Sequence, residues 1–134
     1  MELKDRIRFI DRKKIDDNRG WFLKVINGLE ENLPDRTGEI YLTSALPGES
    51  KGGHYHEIAN EWFTLVTGEC ELKLADIKTG EKLSVHLSHN RPLTVYVPSQ
   101  IAHIFVNQSK EDFILIAYSD QLYLPEDTIM FDSF

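Results

Sequence analysis

One cysteine, Cys70, is the whole thiol content of this 134-residue chain, so no internal disulfide can form and a cysteine-rich zinc site is excluded. Positive charge is also scarce: 15 Lys and Arg stand against 22 Asp and Glu, a net charge of −7. That balance argues against a sequence-nonspecific grip on nucleic acid or on an anionic membrane, so an anionic ligand must find a local basic pocket. No apolar run approaches the roughly 18 residues of a membrane span. The segment from Met1 to Asp11 mixes charges and has no apolar stretch of the kind that targets a chain for export. A cytoplasmic location without membrane contact is the expectation. What is present, 41% hydrophobic and 28% charged residues, is the profile of one compact domain with a real core and no room for a second.

Apolar residues recur at period two in short runs separated by turn residues, the pattern of half-buried strands. In the clearest case Cys70, Leu72 and Leu74 face one way, and Glu69, Glu71 and Lys73 the other. A turn at Lys78 to Glu81 follows, and Leu83, Val85 and Leu87 resume the alternation to complete a hairpin. Further strands are expected at Trp21 to Ile26, Glu39 to Leu46, Glu61 to Thr67, Leu93 to Val97, His103 to Asn107 and Asp112 to Tyr118. Gly and Pro punctuate the gaps at the roughly 8–12-residue rhythm of a sandwich or barrel. Only Met1 to Arg12 and the tail after Leu124 suit a helical turn, and the mixed charge of Lys4 to Asp17 reads as a solvated edge. The architecture expected is all-β, a single small jelly-roll barrel, whose interior can hold a small ligand where polar side chains replace part of the core.

The stretch from Gly48 to Gly68 carries the chemistry. His54 and His56 are two apart and project to one face of a strand, and a return strand opening at Glu61 can bring a carboxylate to the same place. Downstream, His103 lies five residues after Pro98 and four before Asn107, at the start of another strand. Imidazoles with one carboxylate suit zinc, iron, manganese or nickel at a site with open positions.

Both stretches resemble the cupin superfamily. Its first motif runs Gly, five residues, His-x-His, three or four residues, Glu, six residues, Gly, and this chain matches it at every defined position. Its second runs Pro-x-Gly, two residues, His, three residues, Asn, and here Gln100 stands where the family has Gly. Cupins are small jelly-roll barrels, and the resemblance implies the ligand set His54, His56, Glu61 and His103 for a divalent metal, zinc first. No organic cofactor is implied. A narrower resemblance runs from Asp17 to Phe131, carried by Asp17 to Phe22, Pro47 to His56, Pro98 to Phe105 and Tyr123 to Asp127. These stretches look like the cupins that modify nucleotide sugars: the dTDP-4-dehydrorhamnose 3,5-epimerases, the dTDP-sugar 3,4-ketoisomerases and the cupin domain attached to some capsular UDP-sugar reductases. The resemblance implies an enzyme acting on a nucleotide-linked 4-keto sugar, a sugar for surface polysaccharide as product, and a homodimer paired through edge strands. The 3,5-epimerases orient their catalytic histidine with an aspartate near the C-terminus. Of that dyad only the histidine carries over, onto His54.

Hydrogens beside the ketone of a 4-keto sugar are acidic, because the carbanion delocalises onto oxygen. Epimerisation or keto transfer therefore needs a base and a partner for the enolate. His54 suits the base. Lys51 and Tyr41 are donors for the enolate if no metal serves, and Tyr118 or Tyr123, near the end of the last strand, suits the acid. A metal-bound ring nitrogen cannot at once be a base, so either metal or base must yield at His54. For the substrate's diphosphate Arg19 is the first candidate and Arg91 a further one, and Trp21 and Tyr55 could stack on the base. Two other classes fit the same four residues: a metal-dependent cupin oxygenase or lyase, and a non-catalytic sugar-binding cupin.

Overall fold

The computed structural model describes residues 1–30 and 33–134. Its strands are β1 (Arg8–Asp11), β2 (Lys14–Asp17), β3 (Gly20–Leu23), β4 (Glu39–Ala45), β5 (Ser50–Tyr55), β6 (Glu61–Thr67), β7 (Glu69–Asp76), β8 (Lys82–Ser88), β9 (Leu93–Val97), β10 (Ile101–Val106), β11 (Phe113–Ser119) and β12 (Ile129–Met130). One helical turn, α1 (Leu3–Arg6), precedes them, and a 3-10 turn (Pro125–Asp127) precedes β12. Two five-stranded sheets form, ordered β1-β9-β6-β11-β4 and β12-β5-β10-β7-β8, with every pairing antiparallel. The hairpin β2-β3 belongs to neither sheet.

The core lies between the inner faces. Phe63, Leu65, Val95, Val97, Leu115 and Ala117 come from the first sheet, and Cys70, Leu72, Leu74, Ile101 and Phe105 from the second. Each large apolar side chain buried this fully stabilises the fold by about 1.5–3 kcal/mol. The alternation read at Cys70, Leu72 and Leu74 is thus the inner face of β7. Burial in this layer pushes the Cys70 thiol up to about 12, with the Glu71 charge adding to it, so it is an inert core group.

The N-terminal segment is largely the exposed edge expected of it, β1 being an outer strand, but a few of its side chains turn inward. Leu3 and Ile7 are buried, β1 pairs with β9, and Arg12 turns inward to an ion pair with Glu30 while its Nε–H donates to Thr94 Oγ1 at 2.7 Å. Leu3 is the buried residue of α1 and Ile7, already extended, follows the helix directly; the charges between them hid that pair.

Candidate metal and proton-transfer site

β5 and β10 are cross-strand neighbours, and their register sets His54 directly opposite His103. The ring centroids are 5.0 Å apart and nearly perpendicular. The pairing shifts between His103 and Ile104, where Gly52 and Gly53 both adopt positive φ (97° and 79°). A Cβ at Gly52 would sit 2.7 Å from the His103 carbonyl oxygen, so the two strands approach this closely only because the residue is glycine. His56 follows β5 on the same face, its ring 5.0 Å from that of His54. Glu61 opens β6 in the facing sheet. The four residues each offer one ligand atom, and these atoms all lie within 4.8 Å of one another. Phe63 and Phe105 pack beneath, with the Phe63 ring 5.2 Å from that of His103.

The surroundings fix how the rings are presented. His103, 2% exposed, has Nδ1 3.3 Å from the Ile101 carbonyl, and His56 has Nδ1 2.8 Å from the Asp127 carbonyl. A carbonyl only accepts, so in both rings Nδ1 carries the proton and Nε2 is left to the site. His56 Nε2 lies 2.8 Å and His103 Nε2 3.5 Å from Glu61 Oε1. The closer pair stands at ion-pair distance, yet neither His56 Nε2 nor Glu61 Oε1 has a well-aligned hydrogen bond, and both atoms are buried. A nitrogen and a carboxylate oxygen aimed at one point fit a cation between them, and the donor set of imidazoles and one carboxylate fits zinc.

Charge follows the geometry. Burial, then the neighbouring His103 and His56, lowers His54 to about 4, so at neutral pH its ring is uncharged. Burial also lowers His103, against the pull of Glu61. For His56 burial is outweighed by Glu61 and by the carbonyl and carboxylate of Asp127, and its pKa is raised. For Glu61, too, burial is outweighed, by His56, His103 and the Tyr41 hydroxyl, and its pKa is lowered. The Tyr41 hydroxyl donates to Glu61 Oε2 at 3.1 Å, and burial together with that carboxylate raises its pKa, keeping it protonated.

The other residues singled out in the sequence divide sharply. Tyr123 lines, with Tyr41, His56 and Glu61, a small open cavity of about 50 Å³ that Leu122, Leu124, Asp127 and Thr128 also border. Lys51 pairs with Phe105, so the glycine bulge returns it to the face of His103, but its side chain is exposed and touches none of the four groups. Tyr118 is not brought to the cluster. It alternates with Ser119 and Ala117 on β11 and lies on the outer face, its ring 6.0 Å from Trp62 and its hydroxyl 2.5 Å from Thr37 Oγ1. Tyr55, one residue from His54, takes the opposite face against Phe131. Arg19 and Trp21 sit on the β2-β3 hairpin; Arg19 is solvent-exposed beside Asp17, and Trp21 lies under the Lys14 ammonium. Arg91 lines a separate cavity of about 670 Å³ with Phe9 and Leu83, from the free-edge strands β1 and β8. Asp127, in the Pro125-Glu126-Asp127 run, is a residue of the site that no motif in the sequence points to. A proline opening a turn after the last long strand was the available signal.

Two sheets closed over a core, with three imidazoles of one meeting a carboxylate of the other, define a cupin barrel. The chain belongs to the family described as the polysaccharide biosynthesis C-terminal domain, which matches residues 15–131. It is 24% identical over 127 residues to the spore coat polysaccharide biosynthesis protein SpsL of Bacillus subtilis (strain 168), covering 91% of this chain and 83% of that protein. It is 22% identical over 107 residues to the UDP-2-acetamido-2,6-beta-L-arabino-hexul-4-ose reductase of Pseudomonas aeruginosa PA103, covering 80% of this chain but only 27% of the reductase. Among solved structures, the dTDP sugar isomerase of Desulfovibrio desulfuricans G20 superposes with a TM-score of 0.87 at 16% identity, covering 95% of this chain and 84% of that one. No helix among the described residues is long and apolar enough to cross a membrane.

Proposed function

We propose that the protein is an epimerase or isomerase that moves a proton beside the ketone of a nucleotide-linked 4-keto sugar, in the making of a surface polysaccharide. The observation that carries this reading is the neutral, half-buried ring of His54 set among His56, Glu61 and His103, with the protonated hydroxyl of Tyr41 across the cluster. The similarity to a polysaccharide biosynthesis protein and to a dTDP sugar isomerase supports the substrate class.

The ring of His54 makes no hydrogen bond among the described residues, so the unprotonated nitrogen of its neutral ring is free to accept a proton. Positioned general-base catalysis of this kind contributes typically ~10²–10⁴-fold. His56 and His103 are held with Nδ1 occupied, and Glu61 keeps its negative charge, so these three suit ligation better than proton abstraction. A divalent ion held by Nε2 of His56 and His103 and by Glu61 would supply a Lewis acid for the developing enolate oxygen. Tyr41 and Tyr123 are the hydroxyls beside the cavity, and either can return a proton.

Proton NMR of a UDP- or dTDP-4-keto-6-deoxysugar with the protein in D₂O tests the proposal. Deuterium should enter at a carbon beside the ketone, and His54→Ala should abolish it. No incorporation with wild-type protein removes the reaction; incorporation unchanged in the variant removes His54 as the base.

A further inference from the structure

Among the described residues three acidic side chains are buried: Glu61, Asp76 and Asp127. Glu61 belongs to the cluster. Asp127 grips the neighbourhood of the cluster from two sides. Its carboxylate accepts the N–H groups of three consecutive residues, Glu57 (2.8 Å), Ile58 (3.0 Å) and Ala59 (3.2 Å), in the loop that leads from His56 to Glu61. Its main-chain carbonyl accepts the Nδ1–H of His56. The 3-10 turn that presents both groups starts at Pro125 and closes on itself through Asp127 N–H to Leu124 and Thr128 N–H to Pro125. Directly after it, β12 pairs Ile129 with Tyr55 and Met130 with His54, which staples the turn to the strand that carries the first imidazole.

We infer that Asp127 is a positioning residue of the site: its turn dictates that His56 offers Nε2, and it sets the span of the loop that brings His56 to Glu61. The inference deepens the reading of the cluster as the working site and rests on it. Asp76 shows what a purely structural version of the device looks like. Its carboxylate likewise accepts two backbone N–H groups, from Lys78 and Thr79, but its carbonyl accepts Gly80 N–H and no ring of the cluster. Asp127 differs by joining that clamp to an imidazole. Groups behind a ligand ring of this sort typically change metal affinity 10–100-fold.

The test uses the chelator-stripped full chain, its Asp127→Asn variant and Asp76→Asn as the control, with two readouts: the ¹⁵N shifts of the His56 ring, and zinc affinity by competition with a chromogenic chelator. In the wild type His56 Nδ1 should show a protonated-nitrogen shift. In Asp127→Asn the amide donates where Ala59 N–H now donates, so the turn shifts, the His56 signals move, and zinc affinity falls by about 10–100-fold. Asp76→Asn should lower Tm and change neither readout. A wild-type Nδ1 without a proton overturns the inference, as does Asp127→Asn with wild-type ring shifts and zinc affinity. Should Asp127→Asn fail to fold, the wild-type Nδ1 shift decides alone. Should the wild type bind no zinc, the metal reading of the cluster fails while the ring shifts still decide the role of Asp127.

Discussion

The Tyr41 hydroxyl donates to Glu61 Oε2 across an intervening strand: Tyr41 is on β4, Glu61 on β6, and β11 runs between them. The residue opposite Tyr41 on β11 is Ala117, fully buried, and its small side chain leaves the ring room to lean over. Glu61 therefore faces imidazoles through one oxygen and a phenol through the other. Tyr41→Phe should remove that donor from a buried carboxylate and destabilise the fold by about 1–3 kcal/mol, read by urea unfolding at pH 7. An unchanged midpoint would show that Oε2 does not depend on Tyr41.

Stability should depend on pH in a direction set by the histidines. The pKa of His54 is lowered, to about 4, and that of His103 is lowered as well, so both give stability that is present above the unfolded value near 6.5 and is lost as pH falls through their folded values. His56 has the opposite sign: its contribution is full below about 6.5 and fades as pH rises through its raised value. Glu61 adds stability above about 4.5 that is lost on further acidification. Below pH 6.5 the His56 contribution is constant and only the two lowered histidines bind protons differently in the folded and unfolded chains, so Tm of the metal-free protein should fall between pH 6.5 and about 4, and the fall should be shallower in His54→Asn. A flat Tm over that range would contradict the burial of these rings.

Gln100 tests backbone rather than charge. It adopts φ 68°, the conformation that the glycine of the cupin motif supplies, and its N–H donates to the His56 carbonyl at 2.6 Å. Left-handed backbone costs a non-glycine residue about 1–2 kcal/mol. Gln100→Gly should therefore leave stability within about 1 kcal/mol of wild type, relief of strain offsetting the freer unfolded chain. Gln100→Val, β-branched, should lose about 2 kcal/mol or more. Gly52→Ala should be worse still, since its Cβ meets the His103 carbonyl. Thermal unfolding of the three variants gives the order.

The alternation of β7 and β8, the His-x-His face and the return strand from Glu61 were legible in the sequence because period two and local spacing are written in adjacent residues. The convergence of His103 was legible from its motif, although β10 begins at Ile101 and places His103 inside the strand rather than at the expected start. Two kinds of feature were not. Arg12 reads as surface because nothing in its neighbourhood announces the half-buried Glu30 as its partner. Tyr118 and Tyr123 read alike because both lie near the end of β11, yet a one-residue difference in alternation sends Tyr118 to the outer face, and the chain beyond the strand carries Tyr123 to the cavity rim. The double role of Asp127 depends on a carbonyl, which every residue has, and no sequence pattern marks it.

Self-association is expected from the edges. β4 is the outer strand of its sheet and exposes Ile40 and Leu42, while the β2-β3 hairpin, outside both sheets, exposes Ile15, Trp21 and Phe22. Unpaired edges with apolar side chains favour a second copy of the chain as cover. Light scattering at micromolar concentration should give the mass of a dimer, and Leu42→Lys should shift it toward the monomer. A monomeric wild type would leave these residues as plain surface.

The most direct test of the account is calorimetric titration of zinc into the chelator-stripped protein, because it asks whether His56, Glu61 and His103 hold one ion beside the free ring of His54. The account predicts one ion per chain, with affinity lowered on the order of 100-fold or more in Glu61→Gln, because losing a ligand exceeds the effect of losing a group that only orients one. An isotherm unchanged by that substitution, or no binding to a folded wild-type protein, would contradict it.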